Sequence, residues 1–135
     1  MSSVLVDSNV ILDVVTEDPR WSAWSSRAMA EAIDSAELVI NPLVYAEISV
    51  GFARIEEVEL ALPADLIRRE PLPWEAAFLA GKSFESYRRR GGRKSAPLPD
   101  FYIGAHAAIR RYRLLTRDTG RFATYFPTVE LITPG

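Results

Sequence analysis

No cysteine occurs among the 135 residues, which excludes a disulfide framework, a thiolate zinc site and a cysteine nucleophile together. Histidine occurs once, at position 106. A Ser-His-Asp triad would have to recruit that residue, and no Gly-x-Ser-x-Gly turn exists to present the serine. Long apolar runs are also missing: nothing approaches the roughly 20 residues of a membrane span. The start, Met-Ser-Ser-Val-Leu-Val-Asp, has neither the basic region nor the apolar run of a secretory signal. A soluble, cytoplasmic protein without a membrane partner is the expectation. A glycine-rich phosphate loop is incomplete too. Ala80-Gly81-Lys82-Ser83 has the right tail, but Ala76 stands where the loop needs its first glycine, inside a helical pattern.

What is present describes one ordinary globular unit. Hydrophobic residues make up 48% and charged residues 25%, enough to bury a core without staples, at a length typical of a single domain over 1–135. Net charge is −2, which taken alone argues against a general nucleic-acid binder. The average hides an asymmetry. Residues 1–67 hold three bases against twelve acids, whereas 68–135 hold thirteen bases against six acids, and all but two of the 16 bases are arginine. Arginine is the base suited to bidentate phosphate contact.

Four short apolar runs read as buried strands: Val4 to Val6, Leu38 to Ile40, Leu114 to Thr116 and Val129 to Ile132. Between them lie helical patterns. One starts after Asp7; one carries Trp21, Trp24, Ala28 and Ala32; one opens at Asn41-Pro42, an N-cap followed by proline at the first helical position, and runs to about Phe52. An amphipathic stretch from Ile55 to Leu66 is interrupted by Pro63. A long helix follows Pro73 and stops at Gly91-Gly92. Pro97 and Pro99 bracket an extended loop before a helix opened by Asp100 and carrying Ile103, Ala107 and Arg110. Alternation of strands and helices predicts an α/β fold with a central parallel sheet flanked by helices.

In such sheets ligands gather outside the carboxyl ends of the strands. Asp7 directly follows the first strand, Asp118 lies just past the third, and Asp100 opens a helix. Each has a plainer reading, as a helix cap or a turn residue. Glu47 is harder to dismiss. On a helix begun at Pro42, with 100° per residue, its carboxylate falls on the apolar face between Val50 and Val44. A charge there must be protonated, paired with an arginine or bound to a cation. Convergent carboxylates about 4 Å apart repel by roughly 4 kcal/mol per pair at an effective dielectric near 20, a conflict that a divalent ion resolves. With no thiol and one imidazole the donors are oxygens, which favours Mg²⁺ or Mn²⁺ over zinc. Such an ion keeps open positions for phosphate oxygens and water, so phosphodiester hydrolysis is the implied reaction.

The segments Val6-Asp7-Ser8-Asn9-Val10, Pro42 to Ile48 with Glu47, Leu98-Pro99-Asp100 and Leu114-Leu115-Thr116-Arg117-Asp118 together resemble a PIN-domain ribonuclease, more narrowly the VapC-type toxins of toxin-antitoxin pairs. The resemblance spans essentially the whole chain. It implies a PIN-like, Rossmann-like fold and a metal-dependent endoribonuclease. Asp7, Glu47, Asp100 and Asp118 match the family's acidic quartet and would bind Mg²⁺ or Mn²⁺, with Asp7 and Asp100 as direct ligands and Glu47 and Asp118 completing the site or orienting water. Ser8 and Thr116 match accessory hydroxyl positions. The implied partners are RNA, a cognate antitoxin protein and a second copy in a homodimer. Under this reading Arg88, Arg89, Arg90, Arg93 and Lys94, on the approach to Asp100, and Arg117 and Arg121, flanking Asp118, grip the RNA backbone. Two other functions use the same acids: a metal-dependent phosphohydrolase of small esters, although Asn9 stands where its second aspartate belongs, and a non-catalytic PIN-like module that only binds a partner's basic segment. His106 is expected to be a packed or surface residue, not an acid-base group.

Overall fold

Val4, Leu5 and Val6 have no solvent contact at all, and their strand is bonded on both sides, so the most apolar run of the chain forms the middle of the sheet. The structure is a computed structural model and describes residues 2–92 and 98–135. In chain order the described elements are β1 (Ser3–Val6), α1 (Ser8–Val15), α2 (Ser22–Ser35), β2 (Glu37–Ile40), α3 (Pro42–Ser49), α4 (Ile55–Ala61), β3 (Ile67–Arg69), α5 (Trp74–Arg89), α6 (Leu98–Arg110), β4 (Arg113–Leu115), α7 (Gly120–Tyr125) and β5 (Leu131–Ile132). All strand pairings are parallel, in the order β3-β2-β1-β4-β5. Parallel sheets need a covering helix at each crossover, and the alternation of strand and helix along the chain supplies it.

The chain builds outward from β1 to β2 and β3 on one side, then returns to add β4 and β5 on the other. The order therefore reverses between β1 and β4, the switch point beside which ligands bind in open α/β sheets. Helix α6 is packed against α5, α3, α7 and β4. Its approach to α7 is close: a Cβ on Gly104 would stand 2.4 Å from the Phe126 ring, so a side chain there would drive the two segments apart. Phe101, Phe84, Tyr87, Tyr125 and Phe126 fill the wedge between α5, α6 and the α7 region with edge-on and tilted ring contacts. Burial of a side chain such as Phe101 or Leu5 contributes about 1.5–3 kcal/mol each.

The four strands expected from apolar runs are present, with the last reduced to Leu131–Ile132. A fifth, β3, is Ile-Arg-Arg. As an edge strand it needs only Ile67 buried, so it lacks the apolar run that marks the central strands. Helix α7 is likewise additional, and α4 ends at Ala61, ahead of the interruption expected at Pro63, which withdraws a donor. Leu98-Pro99-Asp100 is the first turn of α6 and not loop; proline is tolerated there because the first helical N–H groups have no intrahelical partner. Gly91, at φ +88°, ends α5 in the left-handed region.

Candidate functional site

Beside the switch point between β1 and β4, acids from four separate elements come within electrostatic reach of one another. Asp7 is the residue next after β1. Its backbone N–H continues the sheet ladder to the Leu115 carbonyl (2.9 Å), which fixes its Cα against β4. The carboxylate, only 4% exposed, caps α1 by accepting the Ser8 N–H at 2.8 Å and accepts the Thr116 hydroxyl at 2.8 Å through its other oxygen. The capping role and the site role are thus compatible, since both follow from a carboxylate held at a strand-to-helix junction.

Glu47 comes from α3, whose start is set by Asn41: the Asn41 Oδ1 accepts the Val44 N–H at 3.0 Å. Val44 and Ile48 form the buried face of α3, while Val50 is 88% exposed. Glu47 therefore sits at the margin of that face and is half-buried, not central to it as the helical projection suggests. Its partner is the Ser8 hydroxyl, at 2.9 Å. An arginine does not take that place; of the nearby bases Arg54 is paired with Glu56. Asp100 lies in the first turn of α6, where the helix dipole favours a carboxylate, and Arg121 of α7 donates to it at 2.5 Å. The Arg121 guanidinium is held over the Tyr87 and Phe101 rings. Asp118 leaves β4 on a short turn: its N–H donates to the Thr116 hydroxyl (3.0 Å) and its carboxylate accepts the Gly120 N–H (3.1 Å).

The electrostatics tie the four together. Burial pushes the Asp7 carboxyl up from its ordinary 3.8 to about 6, against the lowering effect of Thr116 and Ser8, and the charges of Asp100 and Glu47 push it further up. Glu47 is raised by burial and by Asp100, although the Ser8 hydroxyl opposes this. Asp100 is raised by burial and by Asp118 even with Arg121 beside it. These acids destabilise one another's charged forms, which is the reverse of what a set of satisfied surface carboxylates would do.

Among the described residues no three acidic or imidazole groups form a ready-made cage for an ion. Asp7, Glu47 and Asp100 are each turned toward a private partner, Thr116, Ser8 and Arg121. The donor set nevertheless fits a magnesium-type ion, which is characteristically held by one or two carboxylates and completes its octahedron with water and substrate phosphate. It is entirely oxygen, partly desolvated and short of positive charge.

The basic residues divide. Arg117, on the turn before Asp118, is committed elsewhere: it forms a bidentate pair with the buried Asp13 (2.6 and 3.0 Å), which also accepts the Ser25 hydroxyl at 2.7 Å, and its guanidinium lies over Trp21. That assignment gives it a structural duty in place of the expected backbone grip. Arg88 and Arg89 are exposed at the end of α5, with Arg89 3.6 Å from Glu85, and Arg90 lies over Tyr125. Arg93 and Lys94 lie outside the described residues. Two residues to which the sequence assigned no role in the site also act here. Asn9 accepts the Arg117 backbone N–H at 3.3 Å and so ties the turn carrying Asp118 to α1, while Asp13 is the one acid within α1.

The sequence profile of the PIN domain matches residues 4–125. No curated protein sequence matches the chain. Among solved structures it is similar to VapBC2 from Rickettsia felis bound to a fragment of its promoter DNA, at 15% identity, TM-score 0.76 and 98% of this chain against 99% of that one. VapBC-1 from nontypeable Haemophilus influenzae gives 18% identity and TM-score 0.73 over 97% of each chain. FitAcB from Neisseria gonorrhoeae gives 20% and 0.70 over 96% of each. At these identities the likeness is one of fold.

Proposed function

The chain belongs to the PIN domain family, and on that premise we propose that it is the toxin nuclease of a toxin-antitoxin pair, an endoribonuclease that hydrolyses RNA phosphodiester bonds with Mg²⁺ or Mn²⁺ at Asp7, Glu47, Asp100 and Asp118. The observation that carries the reading is the electrostatic conflict just described: Asp7, Glu47 and Asp100 are raised first by burial and further by neighbouring carboxylates, Asp118 among them, beside the place where the sheet order reverses. A bound divalent ion would supply charge neutralisation for the acids and the phosphate, and a water activated at neutral pH. Asp7, fixed to β4 through its backbone N–H, and Asp100, in the first turn of α6, are the residues that would hold it. Glu47 and Asp118 complete the site or orient the attacking water, Ser8 and Thr116 keep two of the carboxylates aimed, and Arg121, displaced from Asp100, is placed to meet a phosphate. The exposed arginines 88–90, together with Arg93 and Lys94, grip the RNA backbone. A cognate antitoxin and a second copy of the chain are the proposed protein partners, and the cytoplasm the proposed compartment; a structure from Klebsiella pneumoniae with the same fold is named as a toxin-antitoxin complex. Among the described residues no helix is long and apolar enough to cross a membrane.

The test is incubation of purified, partner-free protein with RNA and Mn²⁺. Wild type cleaves, EDTA stops it, and Asp7→Asn lowers the rate by on the order of 10³-fold, the scale of removing a principal electrostatic group from an active site. Turnover of small phosphate esters without RNA cleavage would favour a phosphohydrolase, and no turnover of either would leave a binding module.

A further inference from the structure

His106, the sole histidine, has no solvent contact, and its two ring nitrogens have different partners. Nδ1 faces the Asn41 amide nitrogen at 3.0 Å, and Nε2 faces Glu70 Oε2 at 2.5 Å. Asn41 is itself 2% exposed, and its Oδ1 is already used in capping α3 through the Val44 N–H. The amide must therefore present its NH₂ to His106. Nδ1 then has to be the acceptor, and Nε2 carries the proton that it donates to Glu70. Glu70, directly after β3, is held in turn: its other oxygen accepts the Tyr112 hydroxyl at 2.7 Å and an Arg68 N–H at 2.9 Å, and Arg110 lies 3.7 Å away. The pattern admits one arrangement of donors. A proton added at Nδ1 would face the Asn41 NH₂, and turning that amide over would take the cap off α3.

The relay joins the two helices that carry site acids. Asn41 is six residues before Glu47, and His106 is six residues after Asp100, about 9 Å along each helix axis; α3 and α6 pack directly on each other. We propose that His106 is a positioning residue, a cross-brace between the α3 N-cap and the Glu70 end of β3 that sets Glu47 relative to Asp100. The proposal rests on the nuclease reading for its purpose, but the brace itself is a matter of hydrogen bonds. It is independent of the ion pair between Arg121 and Asp100. The groups facing the imidazole are Asn41, Glu70, Tyr112, Arg68 and Arg110; burial lowers the imidazole pKa and Glu70 opposes this, in keeping with the neutral form that the geometry requires.

With one histidine, the ¹⁵N spectrum of the ring is unambiguous. Wild type is expected to show the neutral Nε2–H tautomer at pH 7, and a protonated or Nδ1–H ring would overturn the brace. His106→Phe keeps the volume without the nitrogens. It should weaken Mn²⁺ binding about tenfold and lower kcat for RNA 10- to 100-fold with KM within twofold. His106→Asn, which keeps an acceptor near the Asn41 amide, should recover Mn²⁺ affinity to within threefold of wild type. Unchanged Mn²⁺ affinity in folded His106→Phe, or equal loss in both variants, overturns the brace while leaving the nuclease reading intact. Mn²⁺ binding without RNA cleavage in wild type overturns the nuclease reading alone. If wild type binds no Mn²⁺, exchange of the Val44 amide decides: acceleration of tenfold or more in His106→Phe supports the brace, and no acceleration refutes it.

Discussion

In metal-free buffer at pH 7.5, Asp7→Asn is expected to melt above wild type by roughly 3–10 °C. The direction follows from linkage. A carboxyl whose folded pKa is raised from 3.8 to about 6 favours the folded state while protonated. That contribution is fully present below pH 3.8 and is lost as pH rises through 6, so neutral pH carries the whole burden, about 3 kcal/mol. Asparagine removes the charge and keeps the shape. It also forces the Thr116 hydroxyl to turn from donor to acceptor, so a gain of about 1–3 kcal/mol is the realistic outcome. At pH 4 the two proteins should converge. Melting curves across pH 4–8 in EDTA check this; a variant less stable than wild type at pH 7.5 would show that Asp7 serves folding, not a ligand. The same substitution is expected to stop cleavage, so stability and activity should move in opposite directions.

Asp13→Ala should do the opposite, costing about 2–4 kcal/mol and lowering the melting temperature by roughly 5–15 °C. Asp13 is buried and accepts both arms of Arg117 and the Ser25 hydroxyl. Removing it strands a buried hydroxyl and frees a guanidinium, although Arg117 is exposed enough for water to relieve part of the loss. The damage should reach the site, because Arg117 anchors the turn that presents Asp118. Cleavage lower than the loss of folded protein accounts for is the expected signature, and a melting point within 2 °C of wild type would contradict the role assigned to the pair.

Much of this was readable from residue order. Buried parallel strands are apolar because both faces are covered, so β1, β2 and β4 announce themselves, and the residues that follow them, Asp7, Asn41 and Thr116, are thereby placed at the carboxyl edge. Glu47 was legible as a charge on a helix with few polar positions, though its half-buried place at the helix margin depends on packing that a projection omits. What was hidden depends on partners distant in sequence. β3 carries two arginines because an edge strand needs few apolar residues, and Arg68 and Arg69 are balanced by Glu37 and Glu59 from other elements. Arg117 and Arg121 look alike as flanking bases of Asp118, yet one is bound to Asp13 and the other to Asp100. His106 read as an ordinary packed residue because the meaning of its position lies in Asn41 and Glu70, 65 and 36 residues away.

A Mn²⁺ titration followed by melting temperature, wild type beside Asp7→Asn at pH 7.5, bears most directly on the claim that these acids form a site for a divalent cation. Ligand at about 100 times its Kd stabilises a folded protein by about 2.7 kcal/mol. Wild type should therefore gain roughly 5–10 °C and Asp7→Asn almost nothing, having already lost the charge that the ion neutralises. Equal shifts in both proteins, or no shift in wild type at millimolar Mn²⁺, would contradict it.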